Sequence, residues 1–171
     1  MKSLRRFRAF TLVETLLVVC VIAILIGLLA PNFGRLVASA QQVVCASNMR
    51  SIRLALDSYL QDHQFVWPQG PVPQEPGWAP FWIATLEPYK IRKRTWQCPV
   101  IRSWAKESGD PELELHYVPT MFDSTPNIAN RWATQPWLIE IADAHGLGPL
   151  IAFPDGSVKS YSKVLAEQGV R

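Results

Sequence analysis

The sequence predicts an α+β fold, in which a long amino-terminal α-helix crosses a membrane with its first half and packs its second half against a small antiparallel β-sheet. Three observations lead there. Leu16 to Ala30 is apolar without a break behind a basic start, and apolar residues then recur every three or four positions as far as Tyr59. Beyond Glu112, short apolar runs alternate with turn residues.

The amino-terminal element comes first. At about 1.5 Å of rise per residue, a helix from Phe10 to Ala30 spans a hydrocarbon core of roughly 30 Å. Lys2, Arg5, Arg6 and Arg8 precede it, and the positive-inside rule places this end in the cytoplasm and the remainder beyond that face of the membrane. A secretory signal has a shorter apolar core followed by small residues, which Ala30-Pro31-Asn32 fits poorly. Glu14 stands out, because a carboxylate at a helix centre costs roughly 2.5–3.5 kcal/mol on insertion scales. Either it snorkels to the interface from one end of the span or it has a partner.

Pro31, Asn32 and Gly34 predict a kink or a melted turn. Helical spacing resumes with Leu36, Val37, Ala40 and Val44 and continues through Met49, Ile52, Leu56 and Tyr59. It ends near Asp62, before the breakers in Val66-Trp67-Pro68-Gln69-Gly70-Pro71.

The run Arg8-Ala9-Phe10-Thr11-Leu12-Val13-Glu14, followed by the apolar helix, resembles the class III signal of type IV prepilins and type II secretion pseudopilins. The likeness extends to Cys45-Ala46-Ser47-Asn48-Met49-Arg50-Ser51-Ile52 and Tyr59-Leu60-Gln61-Asp62, and to Trp96-Gln97-Cys98-Pro99. It implies a lollipop-shaped, non-enzymatic fibre subunit. A prepilin peptidase would cut between Ala9 and Phe10 and methylate the Phe10 nitrogen, and Glu14 would pair with the amino terminus of a neighbouring subunit during assembly. The family usually carries Gly before the cut, and Ala9 departs from that.

The implied setting is the bacterial inner membrane, crossed once with the amino terminus cytoplasmic and the head periplasmic, most naturally in type II protein secretion. Implied partners are other pilin or pseudopilin subunits, the prepilin peptidase, the inner-membrane assembly platform and membrane lipid. The chain then divides into a leader (1–9), a transmembrane helix (10–30), its amphipathic continuation (31–62) and an extracytoplasmic head domain (63–171). The rival from another class is a membrane-tethered ligand-binding protein or cryptic hydrolase that uses the helix only as an anchor.

Within the head, four prolines and two glycines between Gly70 and Pro80 predict a loop. Phe81 to Leu86 reads as a short helix or strand. The basic run Lys90-Ile91-Arg92-Lys93-Arg94 reads as a solvated surface, and without residues 1–9 the acidic side chains slightly outnumber the basic ones, so no nucleic-acid partner is expected. Cys20 lies in the apolar run, leaving Cys45 and Cys98 either bridged, worth about 2–4 kcal/mol, or as two buried thiols.

Strands are expected where Leu113, Leu115 and Tyr117 alternate with Glu112, Glu114 and His116, and over Trp137–Asp143, Pro149–Phe153 and Ser157–Tyr161. Asp155-Gly156 marks a hairpin turn. Asp143, His145 and Asp155 lie near two turns. They either shape those turns or lend carboxylates to a calcium ion, with Asp143 and Asp155 as its ligands; no other cofactor is expected. The spacing Asp143…His145…Asp155-Gly156-Ser157-Val158 also resembles the carboxy-terminal signature of prepilin-like proteins. No Gly-x-Ser-x-Gly elbow, HExxH pair or phosphate-cradling glycine loop occurs, and no catalytic residue is assigned. The seven Trp residues are expected mainly in the core.

Overall fold

Helix α1 runs from Leu12 to Asp62 and opens on a reciprocal cap. The Thr11 backbone N–H and hydroxyl both donate to Glu14 Oε2 at 2.9 Å, and the Glu14 N–H donates to Thr11 Oγ1 at 3.3 Å. Thr11-Leu12-Val13-Glu14 is thus a capping box, which satisfies backbone donors that the first turn leaves without intrahelical partners. The computed structural model describes residues 11–73, 75–109, 113–122 and 134–169, apart from the side chains of 28–33 and 35. Ala9 and Phe10, with the expected cut and methylation, lie outside these residues, as does Glu112.

The chain divides into two units, Met1–Ala38 and Ser39–Arg171. In the first, the described side chains of α1 are exposed on every face. Among the described residues no helix is long and apolar enough to cross a membrane. This overturns the expected transmembrane first half, and with it the single-pass inner-membrane placement and the periplasmic head. A crossing needs about 20 consecutive apolar residues. The described apolar side chains between Glu14 and Gly27 fall short of that. Of the kink or melted turn expected at Pro31, the melted turn does not form, since α1 continues as helix through it.

In the second unit, Cys45, Met49, Ile52, Leu56 and Leu60 are completely buried. They recur at helical spacing and form one side of the core. The expected stripe is realised only from Cys45 onward, because Leu36, Val37 and Val44 are exposed. Beyond Asp62 the chain leaves the helix through Gln64 and Phe65, both with positive φ.

Helix α2, Trp78–Leu86, settles the choice left open for that stretch and begins inside the expected loop. Two 3-10 turns follow, at Glu87–Tyr89 and Lys93–Trp96. Helix α3, Pro99–Ser108, answers to no sequence expectation. Its start is nonetheless explicable, because Pro99 occupies a first-turn position where its missing N–H costs nothing. Gly109, at φ 74°, closes it.

Four strands form one antiparallel sheet in chain order: β1 Tyr117–Pro119, β2 Leu138–Glu140, β3 Leu150–Ala152 and β4 Val158–Ser160. Tyr117 stands opposite Glu140, Leu138 opposite Ala152, and Ile151 opposite Lys159. The first strand starts later than the alternation suggested, and Leu115, His116 and Tyr117 are buried in succession. The final hairpin forms as expected, with the Phe153 N–H donating to Ser157 O at 2.9 Å and Gly156 at φ 86°. Helix α4, Tyr161–Glu167, follows β4 directly.

Aromatic rings make up much of the core. Trp67 meets Phe122, Trp137 and Trp82 with centroids 4.7, 5.3 and 6.1 Å away, and Trp67, Trp82, Trp96 and Trp137 are all buried. Trp104 is an exception at the surface.

Candidate functional site

Two features of the described chain lack a purely structural explanation. One is the first part of α1, where Leu12 is 80% exposed and Leu16, Leu17, Val19, Ile24 and Ile26 are each more than half exposed. A contiguous apolar surface of this kind marks an interaction site in a folded protein. Glu14, the assembly candidate, lies at its start, and its only described hydrogen bonds are those of the capping box.

The other is a polar cluster inside the core of the second unit. Cys45 projects from α1, Cys98 precedes α3, Glu140 ends β2, and His145 sits in the loop between β2 and β3. Cys45 and Cys98 are free thiols with sulfurs 2.8 Å apart. Cys98 Sγ lies 3.9 Å from His145 Nε2, which is 3.5 Å from Glu140 Oε1. One potential ligand atom from each residue lies within 4.8 Å of every other. Both cysteines are fully buried, and the side chains of Glu140 and His145 are 0% and 1% exposed.

Each member is held by identifiable contacts. The Cys98 N–H donates to His116 Nδ1 at 2.9 Å, while the His116 N–H donates to Trp96 O at 2.8 Å, so His116 pins the cysteine's backbone from β1's approach. Glu140 Oε2 accepts the Leu150 N–H at 3.1 Å, which joins it to β3. Asp143 Oδ1 accepts the N–H of Gly146 at 2.7 Å and of His145 at 3.3 Å. This Asx turn, completed by Gly146 at φ 76°, directs the imidazole inward.

Burial and mutual contact shift Glu140 and the two thiols in different directions. Burial pushes Glu140 up to about 8, with neighbouring Cys98 acting in the same direction and the Leu150 N–H opposing it. Within the thiol pair, the hydrogen bond from Cys98 lowers Cys45, and the same contact, followed by burial, raises Cys98. Desolvation likewise raises Tyr117, which packs beside Cys45. Chemically, such a group can close a disulfide between its sulfurs or present two sulfurs, an imidazole and a carboxylate to one cation.

The structure therefore brings the two candidate cysteines together. Asp143 and Asp155, the calcium candidates, belong to no group of three or more His, Cys, Asp or Glu ligands among the described residues. Asp155 Oδ1 instead accepts the Ser157 N–H at 2.8 Å and shapes the hairpin turn. Sequence reasoning missed Glu140 as a site residue. Its signal was the strand phase, because Leu138 and Glu140 share one face of β2 and Leu138 is buried.

A shallow cleft of about 400 Å³ is lined by Val44, Asn48, Arg92, Arg94 and Arg102. Within the basic run, Lys93 pairs with Glu114. No protein-family model, curated protein or solved structure matches this chain.

Proposed function

We propose that the protein is a structural subunit of a pilus-like or pseudopilus-like fibre, assembled through the first part of α1 after removal of residues 1–9 by a prepilin peptidase. The exposed apolar surface from Leu12 to Ile26 carries the reading. Among the described residues these side chains stand largely exposed. Equivalent helices of neighbouring copies offer the same apolar surface, and bundling them removes it from water at roughly 25 cal/mol per Å². A head built around a separate core, from Cys45 onward, would be displayed by such a bundle. Partners on this reading are further subunits of the same or a related kind and the processing peptidase.

The test is co-expression of the full chain with a prepilin peptidase, followed by mass analysis and electron microscopy. The expected product begins at Phe10 and forms fibres, and Ile22→Lys, which places a charge in the apolar surface, yields folded heads without fibres. A product that keeps residues 1–9 and stays monomeric at all concentrations would refute the reading.

A further inference from the structure

We propose that Cys45, Cys98, Glu140 and His145 bind a single Zn²⁺ ion in the core of the second unit, with one ligand atom from each. This goes beyond the fibre reading and does not depend on it.

The donor set selects the metal. Two sulfurs and an imidazole suit a borderline-soft ion, whereas calcium and magnesium take oxygen ligands almost throughout. A tetrahedral zinc site with Zn–S near 2.3 Å and Zn–N near 2.0 Å places its ligand atoms about 3.3–3.8 Å apart. The Cys98 Sγ–His145 Nε2 and His145 Nε2–Glu140 Oε1 separations, 3.9 and 3.5 Å, already lie close to that edge length. The sulfurs, at 2.8 Å, must move apart by about 1 Å, and the ligand atoms all lie within 4.8 Å of one another.

The surroundings also suit an ion. Glu140 Oε1 is buried and faces the imidazole, and a cation at this place would stabilise its ionised form against the burial that otherwise keeps it protonated. Supporting contacts are in place: the Leu150 N–H on Glu140 Oε2, the His116 ring on the Cys98 N–H, and the Asp143 turn behind His145. Such outer contacts orient ligands and tune affinity. Four protein ligands, all buried, leave no position for substrate, so the ion is structural. It would clamp α1, the start of α3, β2 and the β2–β3 loop to one point.

Binding is a proton exchange with no change of oxidation state. Two S–H bonds and the Glu140 O–H bond break, two Zn–S bonds, one Zn–O bond and one Zn–N bond to the neutral imidazole form, and three protons pass to solvent. Affinity consequently rises with pH.

The full chain, reduced and desalted without oxygen, would be given Zn²⁺ alone and, separately, Co²⁺ alone. The expected results are one zinc per chain by elemental mass spectrometry, and a cobalt spectrum with tetrahedral d–d bands and thiolate-to-metal charge transfer. Cys98→Ser should weaken that charge transfer to about half, with Cys45 left as the one sulfur ligand. Because a core cysteine variant can fail to fold, His145→Gln, on a loop, supplies the second arm: at least a tenfold loss of zinc affinity with the circular dichroism of the parent. A folded, reduced chain that takes up no zinc overturns the proposal, as does zinc whose affinity His145→Gln leaves unchanged. Formation of a Cys45–Cys98 disulfide in the presence of equimolar zinc overturns it equally.

Discussion

Thr11 and Glu14 hold each other at the start of α1, the Thr11 N–H donating to the Glu14 carboxylate and the Glu14 N–H donating back to the Thr11 hydroxyl. The residue that the prepilin resemblance casts as an assembly contact therefore already has a local task. The two roles separate by chemistry, because glutamine can serve in a capping box and carries no charge. Glu14→Gln should keep the helix content of the parent, while Glu14→Ala loses about 0.5–2 kcal/mol of local helix stability, seen as faster amide exchange over the first turns. If charge pairing drives fibre assembly, both variants fail to form fibres. If the cap alone matters, only Glu14→Ala is impaired.

The two faces of α1 in the second unit predict opposite responses. Leu56 is fully buried and Leu54 is 57% exposed, two positions away on the same helix. Leu56→Ala should cost about 2–5 kcal/mol in chemical denaturation. Leu54→Ala should stay within about 0.5 kcal/mol of the parent. Equal costs would mean that the helix is rotated relative to the core.

Arg53 ties α1 to the final hairpin. Its guanidinium donates to Pro154 O, stands 5.6 Å from the Trp137 ring centroid, and approaches Asp57 at 4.0 Å. A lysine ammonium has neither the planar fork nor the reach to do all three. Arg53→Lys is expected to lose about 1–2 kcal/mol, and Arg53→Ala somewhat more. The check is amide exchange at the Asp155–Ser157 turn, which should rise in both.

Gly148 has φ +79°, and a methyl carbon there would lie 2.8 Å from Tyr161 Cβ. Gly109 has φ +74°, with no atom within 4 Å of the same added carbon. Gly109→Ala thus carries only the left-handed backbone cost of about 1–2 kcal/mol. Gly148→Ala adds a clash at the start of α4 and should lower the denaturation midpoint further than Gly109→Ala does.

The Ser157 hydroxyl and backbone N–H hold the Asp155 carboxyl below the ordinary carboxylate range. A depressed folded-state value contributes stability that is fully present above the unfolded value, near pH 4, and is lost as pH falls through the folded one. Asp155→Asn keeps an oxygen for the Ser157 N–H but cannot titrate. Its stability relative to the parent should therefore improve steadily as the pH is lowered below about 4, as read from paired denaturation curves.

Several of these features were legible from the chain alone, each for a local reason. The apolar positions Met49, Ile52 and Leu56 recur at a helical period, and Asp155-Gly156 is a turn dipeptide with positive φ at glycine. The capping box of Thr11 and Glu14, a four-residue pattern before an apolar run, is by contrast hidden behind the prepilin resemblance. Helix α3 carried a comparable signal in Pro99, in Val100, Ile101 and Trp104, and in Gly109, which the reading of Cys98-Pro99 as a family mark obscured. The transmembrane expectation rested on the letters from Phe10 to Ala30 taken as one segment. The described helix does not supply a long enough apolar stretch.

What the sequence determined by itself was the α+β class, the antiparallel pairing of the late strands, and the inward positions Met49, Ile52 and Leu56 of α1. These follow from periodicity and turn chemistry, which act over a few residues. Only the tertiary structure decided that Cys45, Cys98, Glu140 and His145 converge, because the contacts joining them link α1, the turn before α3 and the sheet across long stretches of chain. Neither spacing nor composition encodes such a meeting. It arises when the helix and the sheet bury their apolar faces together, and the polar side chains on those faces are carried inward with them.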